Sequence, residues 1–385
     1  MAKCNLKQPE HAFILPCCIS FDSKKVSRSY RPSGEHLVKR VLKTLFRSSL
    51  VIIAVLVVTL SAWWISIDLD SQPLPDPETR PSELAYLLNA IDEDRGTILA
   101  VVTSTERAGD EINAGYELTE LARAYYVFRA NGYDVQVASP QGGRAPVNID
   151  DELTEYDYAF LNDAEAQGVV EGTLRVADVD PANYDAVYFV GGKGAMFDFA
   201  DNPDVQGVAS RIYDTGGVVG AVCHGPAALI GAQLEDGSML LDGKSVAGFT
   251  NEEELFIIPD SRDIFPFLLE EGLEEASRNY TKAPKYLDHT VIDGRLVTGQ
   301  NPWSTWTVAE GMIRALGHEP VERDISAEEK ATGLLETYHS QGMDAALADR
   351  DRDPGSDKRL ILLHALIALM EGQPKAAFDI QRLAH

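Results

Sequence analysis

The stretch "GGVVGAVCHGPAALIGA", residues 216–232, limits the possible folds more than any other part of the chain. Val218–Val222 is a short apolar run bounded by glycines, the pattern of a buried strand, and Pro226–Ile230 reads as the first turns of a helix. Cys223 therefore falls on a sharp strand-to-helix turn, with His224 beside it. A thiol at a helix N-terminus meets unpaired N–H groups and the positive end of the macrodipole, both of which favour the thiolate. Two readings stay open at this point: a reactive nucleophile, or a small buried residue that merely packs.

The same rhythm repeats around this turn. "GTILAVVTS" (96–104), "YDVQVASP" (133–140) and "YDAVYFVGGKG" (184–194) read as strands, separated by helical patterns at 117–132 and 202–217 that end in glycine. A short strand comes next at "KSVAGF", and "HTVIDGRLVTG" carries Asp293-Gly294 between two apolar runs, a hairpin signal. Alternation of this kind implies an α/β class, a three-layer sandwich with a mainly parallel, flavodoxin-like sheet. Sites in such sheets lie at the C-terminal strand ends, where "VGG" and "AVCHG" both fall.

The ends of the chain differ from this body. Residues 1–67 hold ten Lys or Arg against three acids, while the rest holds 24 against 57, a balance that speaks against a nucleic-acid partner. "LVIIAVLVVTLSAWWISI", Leu50 to Ile67, is uncharged, and with Ser48 and Ser49 it is long enough for a hydrocarbon core of about 30 Å. With Lys39, Arg40, Lys43 and Arg47 before it and Asp68 and Asp70 after it, it reads as an uncleaved single-pass anchor, N-terminus cytoplasmic and body extracytoplasmic. The expected organisation is a basic tail (1–47), a transmembrane anchor (48–67), a Pro-rich linker (68–94), the α/β domain (95–320) and a C-terminal extension of two or three helices (321–385). That extension opens on a Ser326/Glu329 capping box, and its apolar faces suit either the body or another chain. Cys4, Cys17 and Cys18 lie in the tail, so Cys223 has no partner for a disulfide within the body.

Ala221-Val222-Cys223-His224-Gly225 resembles a nucleophile elbow, with small residues that let the turn present its central side chain. Together with "YDAVYFVGGKGAMFDFADNPDV", "GKSVAGFTNEEE" and "DGRLVTGQNPWS", it is similar to the ThiJ/PfpI superfamily on the class I glutamine-amidotransferase-like fold, over roughly residues 96–317. Among its branches the chain most resembles the one holding heat-shock chaperones and glutathione-independent glyoxalases (glyoxalase III). The resemblance implies that Cys223 and His224 are completed by an acid about thirty residues on. Glu252, Glu253 and Glu254 compete for that role, and counting from Phe249 favours Glu254.

The resemblance also implies a glutamate on the first helix, close to the thiol. Spacing from Gly115 points to Glu120 rather than Glu117. Backbone N–H groups of Gly192 and His224 would stabilise an oxyanion, with Gly191-Gly192 forming the neighbouring turn. Two departures, Arg123-Ala124 where relatives have His-Pro and Lys193 where they have His, are expected near the pocket mouth and bear on substrate preference. His289 is read as a strand-end residue, with no metal and no cofactor expected. The implied activity is conversion of a small carbonyl substrate, a 2-oxoaldehyde, to a 2-hydroxy acid, or related deglycase chemistry. A holdase chaperone and a cysteine peptidase are the alternatives, and the partners expected are the small carbonyl substrate, the membrane and a second copy of the chain in a homo-oligomer.

Overall fold

The computed structural model describes residues 34–109, 112–150 and 152–385. The first 33 residues of the basic tail, with Cys4, Cys17 and Cys18, lie outside the described residues. The chain divides into two units, residues 1–64 and 65–385.

Seven strands form the main sheet of the larger unit: β1 (Gly96–Val101), β2 (Tyr133–Ser139), β3 (Leu174–Arg175), β4 (Ala186–Phe189), β5 (Val218–Val222), β6 (Thr290–Asp293) and β7 (Leu296–Gly299). Their order is β6-β7-β5-β4-β1-β2-β3. Every pairing is parallel except that of the edge hairpin β6–β7, where Asp293 faces Leu296 across the Gly294 turn. After β1 the chain runs outward through β2 and β3, then returns to place β4 on the other side of β1. The direction of winding thus reverses between β1 and β4, and a crevice opens at the C-terminal ends of the strands there.

Helices cover both faces: α1 (Gly34–Ile67) belongs to the N-terminal part, and α2 (Leu118–Ala130), α3 (Glu155–Leu161), α4 (Pro203–Asp214), α5 (Asn251–Ile257), α6 (Leu269–Ala276) and α7 (Thr305–Ala315) to the sandwich. β5 shows why the layers fit. Its side chains alternate between faces, and a Cβ on Gly220 would lie 2.1 Å from Met312 of α7, whereas one on Gly217 would meet Ile212 of α4 at 2.6 Å. The two helices therefore press on opposite faces of a strand whose five residues are all buried. The expected strand at "KSVAGF" is only Ser245–Val246, paired with Asn279–Tyr280 outside the main sheet.

Four helices come after the sandwich rather than two or three: α8 (Ala327–Gln341), α9 (Met343–Arg352), α10 (Lys358–Met370) and α11 (Pro374–Gln381). "DPGSD" separates α9 from α10, and Gly342, at φ +90, separates α8 from α9. Ser326 and Glu329 close the capping box of α8. These helices pack on the body. Glu328 reaches Arg123 of α2 at 2.8 Å, and the Arg323 guanidinium, over the face of Trp306, bridges Glu310 and Glu329.

Among the described residues no helix is long and apolar enough to cross a membrane. The anchor expected at 48–67 is overturned. Its uncharged run is only the C-terminal part of α1, whose N-terminal half carries Lys39, Arg40, Lys43 and Arg47. The single-pass arrangement, cytoplasmic tail and extracytoplasmic body, loses its basis with it.

Two glycines test the packing in opposite directions. A Cβ on Gly225 would lie 2.2 Å from the backbone oxygen of Phe189 at the end of β4, so Gly225→Ala must push two chain segments apart. We expect it to lower stability by about 1–3 kcal/mol in urea unfolding, as overpacking does. Gly333, inside α8, has nothing within 4 Å of its Cβ position. Gly333→Ala should raise stability by up to ~1 kcal/mol through helix propensity.

Candidate active site

β5 delivers Cys223 to the crevice in an unusual backbone state. Its φ is +56, a left-handed conformation that costs a non-glycine residue on the order of 1–3 kcal/mol. The turn is held at both ends: the Cys223 N–H donates to the Gly299 carbonyl of β7 at 3.0 Å, and its own carbonyl accepts from Phe249 N–H at 2.9 Å. The next residues do not form the helix that the sequence suggests. Gly225–Leu229 is a single 3-10 stretch, and the chain leaves it through Gly231 at φ +82. A five-residue turn supplies little macrodipole, so the argument for a thiolate stabilised by a helix end falls away.

The environment acts in the opposite direction. Cys223 is 4% exposed, and burial pushes its thiol well above the usual range. The negative charge and hydrogen bond of Glu120 add to that push, and the Gly192 N–H, donating to the sulfur, only partly offsets it. Burial and Glu120 thus both disfavour the thiolate here.

Glu120 enters from the first turn of α2 and is fully buried. Its Oε2 accepts from Gly191 N–H at 2.7 Å, and its backbone carbonyl accepts from the Tyr188 hydroxyl at 3.0 Å. Gly191 has to be glycine, since a Cβ there would fall 2.6 Å from Glu120 Oε2 and 2.8 Å from Cys223 Cβ. Its N–H is therefore committed to Glu120, which leaves Gly192, at φ +91, as the member of the pair whose N–H faces the sulfur.

On the other side of Cys223, the sulfur lies 3.3 Å from His224 Nδ1, and His224 Nε2 lies 2.6 Å from Glu254 Oε2. The imidazole is flanked by Phe249, with ring centroids 4.5 Å apart. The three glutamates of "NEEE" separate because α5 starts immediately after Thr250, so successive side chains point about 100° apart. Glu254 faces His224. Glu253 turns inward as the capping-box carboxylate, accepting from Thr250 N–H and hydroxyl and from Tyr286 N–H, Gln300 and Asn301 at 2.8–3.0 Å. Glu252 stays at the surface near Lys282 and Lys285.

A small pocket opens over the sulfur, lined by Glu117, Lys193, Phe249, Ile257, Tyr286 and Trp303 besides the residues above. Glu117, set aside in favour of Glu120, also belongs to this wall. It accepts from the Asn148 side chain at 3.1 Å and from Asp150 N–H at 3.3 Å. Lys193 pairs with Asp150. Burial opposes its charge, but Asp150, Glu117 and Cys223 outweigh this and raise its pKa.

Arg123, expected near the mouth, is not there. It is 1% exposed and bonded to Asp157 and Glu328, a tie between α2, α3 and α8. His289 bonds to Thr281 at 2.9 Å. Tyr286 gave no signal beyond its aromatic character, and Trp303, though inside the quoted "DGRLVTGQNPWS", was not singled out, because both reach the pocket from loops far along the chain from Cys223.

A doubly wound sheet with a Cys-His-Glu array on a strained turn, and a second glutamate behind the thiol, defines the class. The chain belongs to the DJ-1/PfpI family, whose model matches residues 112–315. It is similar to glyoxalase 3 of Candida albicans, 34% identical over 234 residues that cover 57% of this chain and 97% of that protein. It is also similar to the glutathione-independent glyoxalase of Saccharomyces cerevisiae, 31% identical over 54% of this chain and 91% of the relative. Among solved structures, the Rapid Encystment Protein 24 kDa of Francisella tularensis aligns with a TM-score of 0.54 and 32% identity, covering 57% of this chain and 99% of the other.

The separate duties of the two neighbouring glutamates predict different losses. In Glu253→Gln an amide N–H₂ must face donors, which should cost about 1–3 kcal/mol in urea unfolding. Glu254→Gln should cost clearly less and should instead weaken the hold on His224. Equal losses in the two variants would contradict this division.

Proposed function

We propose that the protein is a cofactor-independent glyoxalase, converting a small 2-oxoaldehyde such as methylglyoxal to the 2-hydroxy acid without glutathione. The observation that carries this reading is the position of Cys223 between two proton-carrying groups, Glu120 on one side and the His224–Glu254 pair on the other. The named activity of the Candida and Saccharomyces relatives supports it.

The sulfur attacks the aldehyde carbon and forms a C–S bond, while the thiol proton passes to a neighbouring base. The carbonyl oxygen becomes a hemithioacetal oxygen, near the N–H groups of Gly192 and His224. Glu120 or His224 removes the proton from that carbon, giving an enediolate, and returns a proton to the adjacent carbon. The product is a thioester of the 2-hydroxy acid. Water, activated by His224 with Glu254 behind it, cleaves the C–S bond and restores the thiol. The sum is 2-oxoaldehyde plus water to 2-hydroxy acid, the aldehyde carbon being oxidised as the adjacent carbonyl carbon is reduced, so no electrons leave or enter and no cofactor is called for.

A neutral resting thiol suits this sequence, since attack and proton transfer are coupled and the thiol does not stand as an exposed, oxidation-prone thiolate. Its burial at the base of a small pocket favours a small carbonyl compound over a polypeptide chain.

The test is glutathione-free loss of methylglyoxal with formation of lactate by the purified protein. We expect Cys223→Ser to abolish turnover, and Glu120→Gln and His224→Ala to lower kcat by about 10²–10⁴-fold, the range for a lost general acid–base group. Consumption that persists in Cys223→Ser, or wild-type protein that forms no lactate, would overturn the proposal.

A further inference from the structure

We infer that the C-terminal helices set the width of the substrate pocket through His364, a positioning residue that holds Tyr286 against the site and restricts it to small aldehydes. The inference rests on the glyoxalase reading for its substrates, and on geometry alone for the brace.

Tyr286 is one wall of the pocket. Its backbone is left-handed, φ +59, which for a bulky residue persists only where surrounding contacts fix it. Its N–H donates to Glu253 Oε1 at 2.8 Å, and its ring is met by the buried His364 of α10. The His364 ring meets the Tyr286 ring edge-on, at 6.5 Å and 74°, and Trp303 also contacts Tyr286, at 5.6 Å. The preceding residue adds a tether, Lys285 to Glu371 at 2.5 Å, just beyond the end of α10.

His364 is nearly fully buried, and burial pushes its pKa down to about 4, so the ring is neutral through the physiological range and packs without a charge. The other groups near it are His339 and Lys285, both of which oppose its protonation. The brace is itself anchored. Asp357 caps α10 and donates its N–H to Ala327 of α8, and Glu328 of α8 is paired with the buried Arg123 of α2. A line of contacts thus runs from α8 and α10 through Tyr286 to Glu253, whose neighbour Glu254 holds His224. Helices α8–α11 lie outside residues 112–315, the stretch that the family model matches.

The experiment uses the full-length chain and compares kcat/KM for phenylglyoxal with that for methylglyoxal in wild type, His364→Ala, His364→Phe and Glu371→Gln. This ratio does not depend on the fraction of folded enzyme. Loosening Tyr286 should raise it about tenfold in His364→Ala, the order expected when a pocket wall yields. His364→Phe keeps a ring against Tyr286 and should stay within about twofold of wild type, and Glu371→Gln, which removes only the tether, should shift the ratio in the same direction as His364→Ala.

In parallel, alkylation of Cys223 by iodoacetamide and by a bulky N-aryl maleimide gives the same size comparison without turnover. If wild type turns over neither aldehyde, the activity proposal fails while the alkylation ratio still decides the brace. An unchanged ratio in folded His364→Ala, or in Glu371→Gln should that variant alone fold, overturns the inference.

Discussion

The site depends on a single constraint, a cysteine held in a left-handed turn at the end of a buried parallel strand and backed by a carboxyl group. The conformation is unfavourable for any side chain with a Cβ, so the fold supplies compensation on every side. β7 accepts the Cys223 N–H, the segment at Phe249 donates to its carbonyl, and glycines at 191, 192 and 225 remove the atoms that would collide. Two of these glycines also serve a second contact: Gly191 N–H holds Glu120, and Gly225 lies against the last carbonyl of β4.

Four glutamates crowd this region, and their neighbours give them different work. Glu253 accepts five hydrogen bonds and fixes α5 to the loops that carry Tyr286, Gln300 and Asn301. Burial raises its pKa, and those bonds pull it back, so most of its influence is structural. Glu254, one residue on, orients the imidazole. Glu117 shapes the mouth with Asn148 and Asp150. Glu120 combines contact with the Gly191-Gly192 turn and influence on the thiol. The chemistry is thus set by which donors reach which carboxylate, rather than by the number of carboxylates present.

Much of this was legible in the chain. The strand ending in Cys223, the alternation of strands and helices, and the Asp293-Gly294 hairpin arise from local pattern, and the glycines at 191 and 192 mark a close approach of backbone to side chain. The rest depends on distant contacts. Glycine at 231 cuts short the helix expected after Cys223, and the burial that raises the thiol pKa comes from packing across the sheet. Arg123 looks like a pocket residue by its place on α2, but two carboxylates, one from beyond residue 320, draw it into the core. Tyr286 and His364 are 78 positions apart and carry no shared pattern. An uncharged apolar run suggested a membrane anchor, yet that run is continuous with four basic residues in one helix, and no described helix meets the requirements of a span.

The central claim is that the thiol rests neutral and that Glu120 is a reason for it. A direct measure is the ultraviolet absorbance of the thiolate, titrated with pH in wild type and in Glu120→Gln. Each curve is taken as the difference from the matching Cys223→Ser protein, which removes the tail cysteines. The account predicts a midpoint above the ordinary thiol value of about 8.5, moved downward in Glu120→Gln because an anionic neighbour has gone. A thiolate already formed at neutral pH, with a midpoint that Glu120→Gln leaves in place, would contradict it.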